Sequence, residues 1–469
     1  MIGAFRRLAA AGAVLVVTTA GPWAEAAQAD SGTTAASQTK QSASSAAQSI
    51  HDVRSQTLSF GIDSQILDLL QTLTQEKDGT LDPEVEKLFE TSLNTDVRQA
   101  SLELLRQVKD WNLAAQAAQV VSGYINSGST GSESLVLTAI RYLRDAKGQQ
   151  AIPLFTKLVN DQSQSIASAA IDALGMSEDP SVSGMLINQL KDPSFPTALK
   201  AQTILALGDL KPKEAVPVLT QILKNPDADS VLRQYACNSL GLIGDPASVP
   251  VIEQALSASD SYLRAYAVSA LGHFQGSEVD DKLMQALKDS FWRVRVSAAE
   301  SLGTRKVSAA LPILEYKAKY DPEPNVERAA VGAIGDIGGT EGYSFLRTIL
   351  ANPLINQALR ETAADKLIAN DLRGSLSDIE KVIHAEWSTP NSRFLDYLCH
   401  RLSEAKDPSL KSLFATFLSS PNINIEIYGL RGIRDNHFTD LLSQIEHYDS
   451  TSMPTSVRAT AESAIQALK

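Results

Sequence analysis

Apolar residues recur along this chain with the step of a helix, and the helical pattern itself recurs. The clearest unit is Leu/Val-Arg-x-x-Ala-x-x-Ala/Ser-Leu-Gly. It runs from Leu232 to Gly241, from Leu263 to Gly272 and from Val294 to Gly303. Within a unit, the Leu, Ala, Ala/Ser and Leu columns fall at relative positions 0, 4, 7 and 8, which is one face of a 3.6-residue period. Looser copies end at Gly175, Gly208 and Gly335, and degenerate ones at Arg106, Arg144, Ile368, Ser403, Arg434 and Gln466. The interval between these anchor positions stays between 31 and 38 residues. The anchor glycine reads as the left-handed residue that stops the helix.

A second amphipathic stretch follows each anchor after about eight residues, as in Ala215-Val216-Pro217-Val218-Leu219. Pro153, Pro217, Pro250 and Pro312 each lie nine residues past an anchor. Proline is tolerated in the first helical turn and breaks a helix interior, so this column marks where each second helix begins. Polar turns such as Asn225-Pro226-Asp227 close the units. An earlier helix pair is expected over Ser64–Leu93, and a lone first helix over Ser456–Leu468.

The repeat resembles the HEAT family, in particular the short HEAT-like repeats associated with bilin lyases. The resemblance covers residues 60–469 and is strongest from 165 to 340. It implies an all-α protein, an α-solenoid of about 12 helical hairpins over 58–469. One hairpin cannot bury its apolar face alone, so stacked neighbours share a core. An armadillo array is the near alternative, with longer three-helix units. Aromatic residues are only 6% of the chain, which fits a core of small aliphatic side chains.

The first 57 residues read differently. Residues 1–29 have the layout of an export signal: Arg6 and Arg7, an apolar stretch from Leu8 to Ala20, then small-x-small sites ending at Ala26 and Ala29. That stretch is too short to span a bilayer, so no stable membrane insertion is expected after cleavage. Residues 30–57 read as a disordered Ser/Ala/Thr/Gln-rich linker with little to bury. The expected location is outside the cytoplasm, periplasmic or secreted, in a bacterial cell. A net charge of −12 argues against a general nucleic-acid binder, which needs a basic surface.

Cys237 and Cys399 hold the same repeat position five repeats apart. Packed helices lie about 8–10 Å apart, which separates the two sulfurs far beyond disulfide reach. They read as buried thiols. HEAT-repeat hydroxylases bind iron through His-Glu dipeptides, and none occurs here. A phosphate loop, G-x-S-x-G and H-E-x-x-H are also missing. Residues 74–86 faintly resemble a calcium loop, but Thr74 and Val85 stand where oxygen-rich ligands belong. Cys399 and His400 are adjacent on a helix and point apart. No catalytic residue, cofactor or metal is assigned.

Several columns remain as candidate surfaces. Thirteen residues past the anchors stand Lys157, Asn188, Gln221, Gln254, Gln285 and Tyr316. The HEAT resemblance implies that second helices line the concave face, making this a polar ridge in a groove; otherwise it is a solvated helix face. Sixteen past the anchors stand Lys191, Lys224, Lys288 and Lys319, a basic stripe or simply charges suited to helix C-termini. Arg98, Arg233, Arg264, Arg295, Arg360 and Arg458 share a first-helix column, with Asp229, Asp260 and Asp289 just before some of them. This suggests a ladder between repeats, or helix capping. Phe291 and Trp292 occupy a normally polar turn, to fill a local gap or to anchor a partner. The expected function is a non-catalytic exported scaffold or adaptor that binds a protein along the concave face. An enzyme or lyase-like accessory subunit, with its site in the degenerate repeats at 340–450, and a structural cell-envelope role are the alternatives.

Overall fold

A computed structural model describes residues 50–387, 389 and 392–469. The export signal and the linker up to residue 49 lie outside the described residues. The chain divides into a short unit ending at Leu69 and a long one, Leu70–Lys469. In the first, residues 50–60 are helical. The last eight residues assigned to the linker, 50–57, therefore belong to a helix, and Leu58 just beyond them is buried. Ile50, Val53 and Leu58 supply the helical apolar spacing that the polar composition upstream lacks.

In the long unit, helix follows helix, and no strand occurs among the described residues. From Thr95 to Ile445 eleven helix pairs succeed one another, and Thr455–Leu468 ends the series as a single helix. The helices Asp63–Glu76 and Asp82–Thr91 match the earlier pair expected at 64–93. Each first helix packs on the first helix of the next pair and on the second helix of the pair before it. The core is a continuous file of Leu, Ile, Val and Ala, exemplified by Leu207, Leu240, Leu271, Leu302 and Ile334.

The proline column falls where expected. Pro153, Pro217, Pro250 and Pro312 sit in the first turn of helices Ile152–Leu158, Val216–Lys224, Val249–Ala255 and Leu311–Tyr320. A 3-10 turn precedes each of these helices.

The anchor glycines do a different job from the one their position suggests. Gly175, Gly208, Gly241, Gly303 and Gly335 are helical, and the left-handed residues come three positions later. Those are Glu178, Lys211, Gly244, Lys306 and Gly338. The anchors are glycine because the next first helix touches them. A Cβ on Gly241 would lie 2.6 Å from the Ala270 Cα, and one on Gly175 would lie 2.7 Å from the Ala206 Cα. Small residue faces small residue, and the Ser239 hydroxyl crosses the junction to donate to the Ile204 carbonyl at 2.8 Å.

The arginine column ties successive pairs together. Arg264 pairs with Asp289 at 2.8 Å, Arg295 with Asp321 at 2.6 Å and Arg360 with Glu386 at 3.0 Å. Each acid precedes the next first helix, so each of these three arginines reaches one repeat forward. Arg264 and Arg295 also donate to carbonyls of the turn behind them, at Ala258 and Asp289. Asp289 closes the link by accepting from the Phe291 backbone N–H. Asp229 and Asp260 instead cap their own helices, at Val231 and Tyr262. Arg233 has Ala258 at the forward position and donates only to the Leu223 carbonyl.

Cys237 and Cys399 are both buried free thiols. Burial pushes the Cys237 thiol up to about 12 and raises Cys399 as well, so neither is a ready thiolate at neutral pH.

Candidate functional site

The second helices carry the candidate column. On these helices the candidate residue stands between two core-facing residues, two positions before it and two after, both buried except at Gln254, where Leu256 is half-buried. Gln221 is flanked by Leu219 and Leu223, Gln285 by Leu283 and Leu287, and Asn188 by Leu186 and Leu190. That spacing turns the middle residue away from the core. Lys157, Asn188, Gln221, Gln254, Gln285 and Tyr316 are accordingly all exposed. The side-chain amides of Asn188, Gln221, Gln254 and Gln285 make no hydrogen bond to any described residue. Consecutive second helices pack together where the column is clearest, from Ser183–Lys191 through Val216–Lys224 to Val249–Ala255. The structure thus places these side chains at one equivalent position on successive neighbours.

The same register extends the column beyond the sequence reading. Gln119 lies between buried Ala117 and Val121, Thr348 between Leu346 and Leu350, and Lys381 between Ile379 and Ile383. All three are exposed. They were missed because the anchors before them, Arg106, Gly335 and Ile368, belong to weaker copies. Counting thirteen residues from those anchors finds them. Gln119 lines an open cavity of about 490 Å³, together with Phe89, Thr95 and Tyr124. Lys381 lines one of about 740 Å³ with Arg347, Arg360 and Phe394.

Tyr316 differs from the amides. Its ring packs against Tyr320 at 5.2 Å, and both are well exposed. Phe291 and Trp292 lie elsewhere, at the start of the first helix Trp292–Thr304, and are half-buried. Phe291 meets Tyr262 edge to face at 5.2 Å, and the Arg293 guanidinium lies 4.6 Å from the Trp292 ring centre. They form a local aromatic cluster on first helices, away from the column carried by the second helices.

The degenerate repeats hold another cavity, of about 650 Å³, whose charged lining is largely paired: Arg401 with Asp365 and Arg373 with Asp407. Among the described residues no group of three His, Cys, Asp or Glu side chains is arranged to hold a metal. The lone calcium-like turn brings Asp78, Asp82 and Glu86 near Asp110, where burial and the three neighbouring charges raise Asp82 to about 6. Among the same residues no helix is long and apolar enough to cross a membrane.

A file of helical hairpins with small residues at each junction and one exposed column per second helix defines an α-solenoid repeat protein. The chain belongs to the family of spirochaete HEAT repeat proteins, which matches residues 58–464. Among solved structures, it is similar to the CpcE–CpcF complex of phycocyanin lyase from Nostoc. The identity is 19%, over 53% of this chain and 94% of that one, with a TM-score of 0.34. It is similar to Kap121p at 13% identity, over 88% of this chain and 52% of that one, with a TM-score of 0.41. The chain therefore spans about half the length of Kap121p. Importin beta matches at 14% identity over 89% of this chain and 67% of that one, with a TM-score of 0.46. No curated protein sequence matches the chain.

Proposed function

We propose that this protein is a non-catalytic, exported scaffold that holds a protein partner along the exposed faces of its second helices. The observation that carries this reading is the column Asn188, Gln221, Gln254 and Gln285: four exposed amides at one register position, none engaged by another described residue. A primary amide both donates and accepts, which suits the backbone of another polypeptide. Each such bond contributes only about 0.5–1.5 kcal/mol, so affinity comes from several made at once. The helices are already formed, which keeps the ordering cost on this side small. Export rests on the leader pattern, with the mature chain starting at Ala27 or Asp30.

The test is a photo-crosslinking amino acid introduced singly at Gln221 or Gln254, with Ser165 and Ala198 on first helices as exposed controls. In the native cell, the first two positions should trap the same protein and the controls should not. Replacing Gln221, Gln254 and Gln285 together with Glu should abolish capture from the same amino acid placed at Asn188, while helicity and melting stay as they were. Equal trapping from all positions, or capture that survives the triple replacement, discards the reading. N-terminal sequencing that returns Met1 from the mature protein discards export.

A further inference from the structure

We infer that the segment held by this column is an extended acidic polypeptide carrying a carboxylate about every third residue. The inference deepens the scaffold reading and rests on it. Three residues past Asn188, Gln221 and Gln285 stand Lys191, Lys224 and Lys288, all exposed. Residues three apart on a helix share a face, so amide and lysine run side by side on Ser183–Lys191 and Val216–Lys224, whereas Lys288 stands two residues past the helix Ser277–Ala286 and Gln254 has Ser257 in the lysine's place. The helices Ile152–Leu158, Ser183–Lys191 and Val216–Lys224 contain no Asp or Glu at all. Yet the chain carries 54 acidic residues against 42 basic ones.

The lysines of this stripe are also unspent. Elsewhere lysines find acids: Lys147 pairs with Glu178, Lys282 with Glu253 and Lys366 with Asp336. Lys191, Lys224 and Lys288 have no carboxylate within ion-pair distance among the described residues. The acids of the following turns are committed locally. Asp192 accepts from Ser194, and Asp229 caps Val231 and Leu232. Asp227, in the turn after Lys224, stays exposed and trims the positive field there without cancelling the column.

The period sets the partner's spacing. Packed helices succeed one another at about 8–10 Å, and an extended chain advances about 3.3 Å per residue. Lys191 and Lys224, one repeat apart, thus meet residues three apart on an extended partner, and Lys288, two repeats on past Ser257, meets one about six further, while the amides engage its backbone. A helix C-terminus also favours lysine through its dipole, and the experiment separates that role from docking.

The probe is a fluorescein-labelled peptide of about 20 residues repeating Glu-Ser-Gly, long enough to cross several helices. Its anisotropy is titrated with the mature chain. Saturable binding is expected, weakening about tenfold or more from 0.05 to 0.5 M salt, as exposed charge pairs do under screening. The triple variant Lys191→Gln, Lys224→Gln, Lys288→Gln should bind about tenfold more weakly with unchanged melting, and the triple Lys→Arg variant should bind like the parent. Absent binding, equal binding of a Lys-Ser-Gly peptide, or preference for single-stranded RNA of equal charge overturns the inference. So does a triple Gln variant that melts earlier yet binds unchanged, which assigns the lysines to the dipole. If crosslinking from Asn188 persists in the triple Gln variant but not in the triple Glu variant of the amides, the scaffold reading stands and the acidic partner falls.

Discussion

Asp82 is a carboxylate held where its charge is unwelcome. It opens the helix Asp82–Thr91, where the N-terminal dipole favours a negative charge. Against that, its Oδ1 is shut from solvent without a hydrogen-bond partner. Burial first, then the charges of Asp110, Glu86 and Asp78, raise it to about 6. The folded state therefore holds this proton more tightly than the unfolded state, whose aspartate titrates near 3.8. Where the folded state binds more protons, stability falls as pH rises, here between about 4 and 6. Asp82→Asn removes the penalty. At pH 7 it should stabilise the protein by about 1 kcal/mol, a figure discounted for a carboxylate that still sees water. At pH 3.5 the two proteins should melt together. Thermal melts at both pH values check this; a variant that melts below the parent at pH 7 removes the acidic crowding as a cause.

At the scale of the helix, the glycine column and a glycine outside it make opposite predictions for one chemical change. In the interior of a helix, Gly→Ala favours folding by about 0.5–1 kcal/mol. At Gly123, a Cβ meets nothing within 4 Å, so Gly123→Ala should show that gain in urea unfolding. At Gly241 the new methyl would press on the Cα and Cβ of Ala270 at 2.6 and 2.7 Å. The two helices must part, which costs about 1–3 kcal/mol and outweighs the propensity gain. Equal effects at the two sites would mean that close approach is not what selects glycine. This column also shows where sequence reading stops. The period, the proline starts, the lone last helix and the buried thiols were all legible, because hydrophobic spacing and proline chemistry are local. The job of Gly241 was not, because a C-terminal cap and a contact glycine look alike until the neighbour's backbone is known. Left-handed termini at Lys109, Lys211 and Lys306 were likewise hidden, since lysine carries no turn signal. The exposed column was visible at Asn188 to Tyr316 and lost at Gln119, Thr348 and Lys381, where degenerate anchors blur the count. Phe291 and Trp292 stood out by composition, but only coordinates show them half-covered by Tyr262 and Arg293.

For the long unit as a whole, stability is a chain of neighbour terms rather than one shared core. The last helix, Thr455–Leu468, buries Val457, Ala461 and Ala464 and packs on Ile423–Asp435. Ending the chain at residue 450 uncovers that face. In a globular domain such a cut lowers protection everywhere, because all elements share one cooperative transition. In a nearest-neighbour stack the loss should be local. Amide exchange should quicken strongly over 423–445, less over 393–417, and not at all over 230–304. The arginine links favour the same outcome, since Arg264–Asp289 and Arg295–Asp321 each join adjacent pairs and bridge nothing more distant. A uniform loss of protection reaching Leu240 and Leu271 would show that the repeats fold as one block. The scaffold reading would then need a rigid surface in place of many independent, additive contacts.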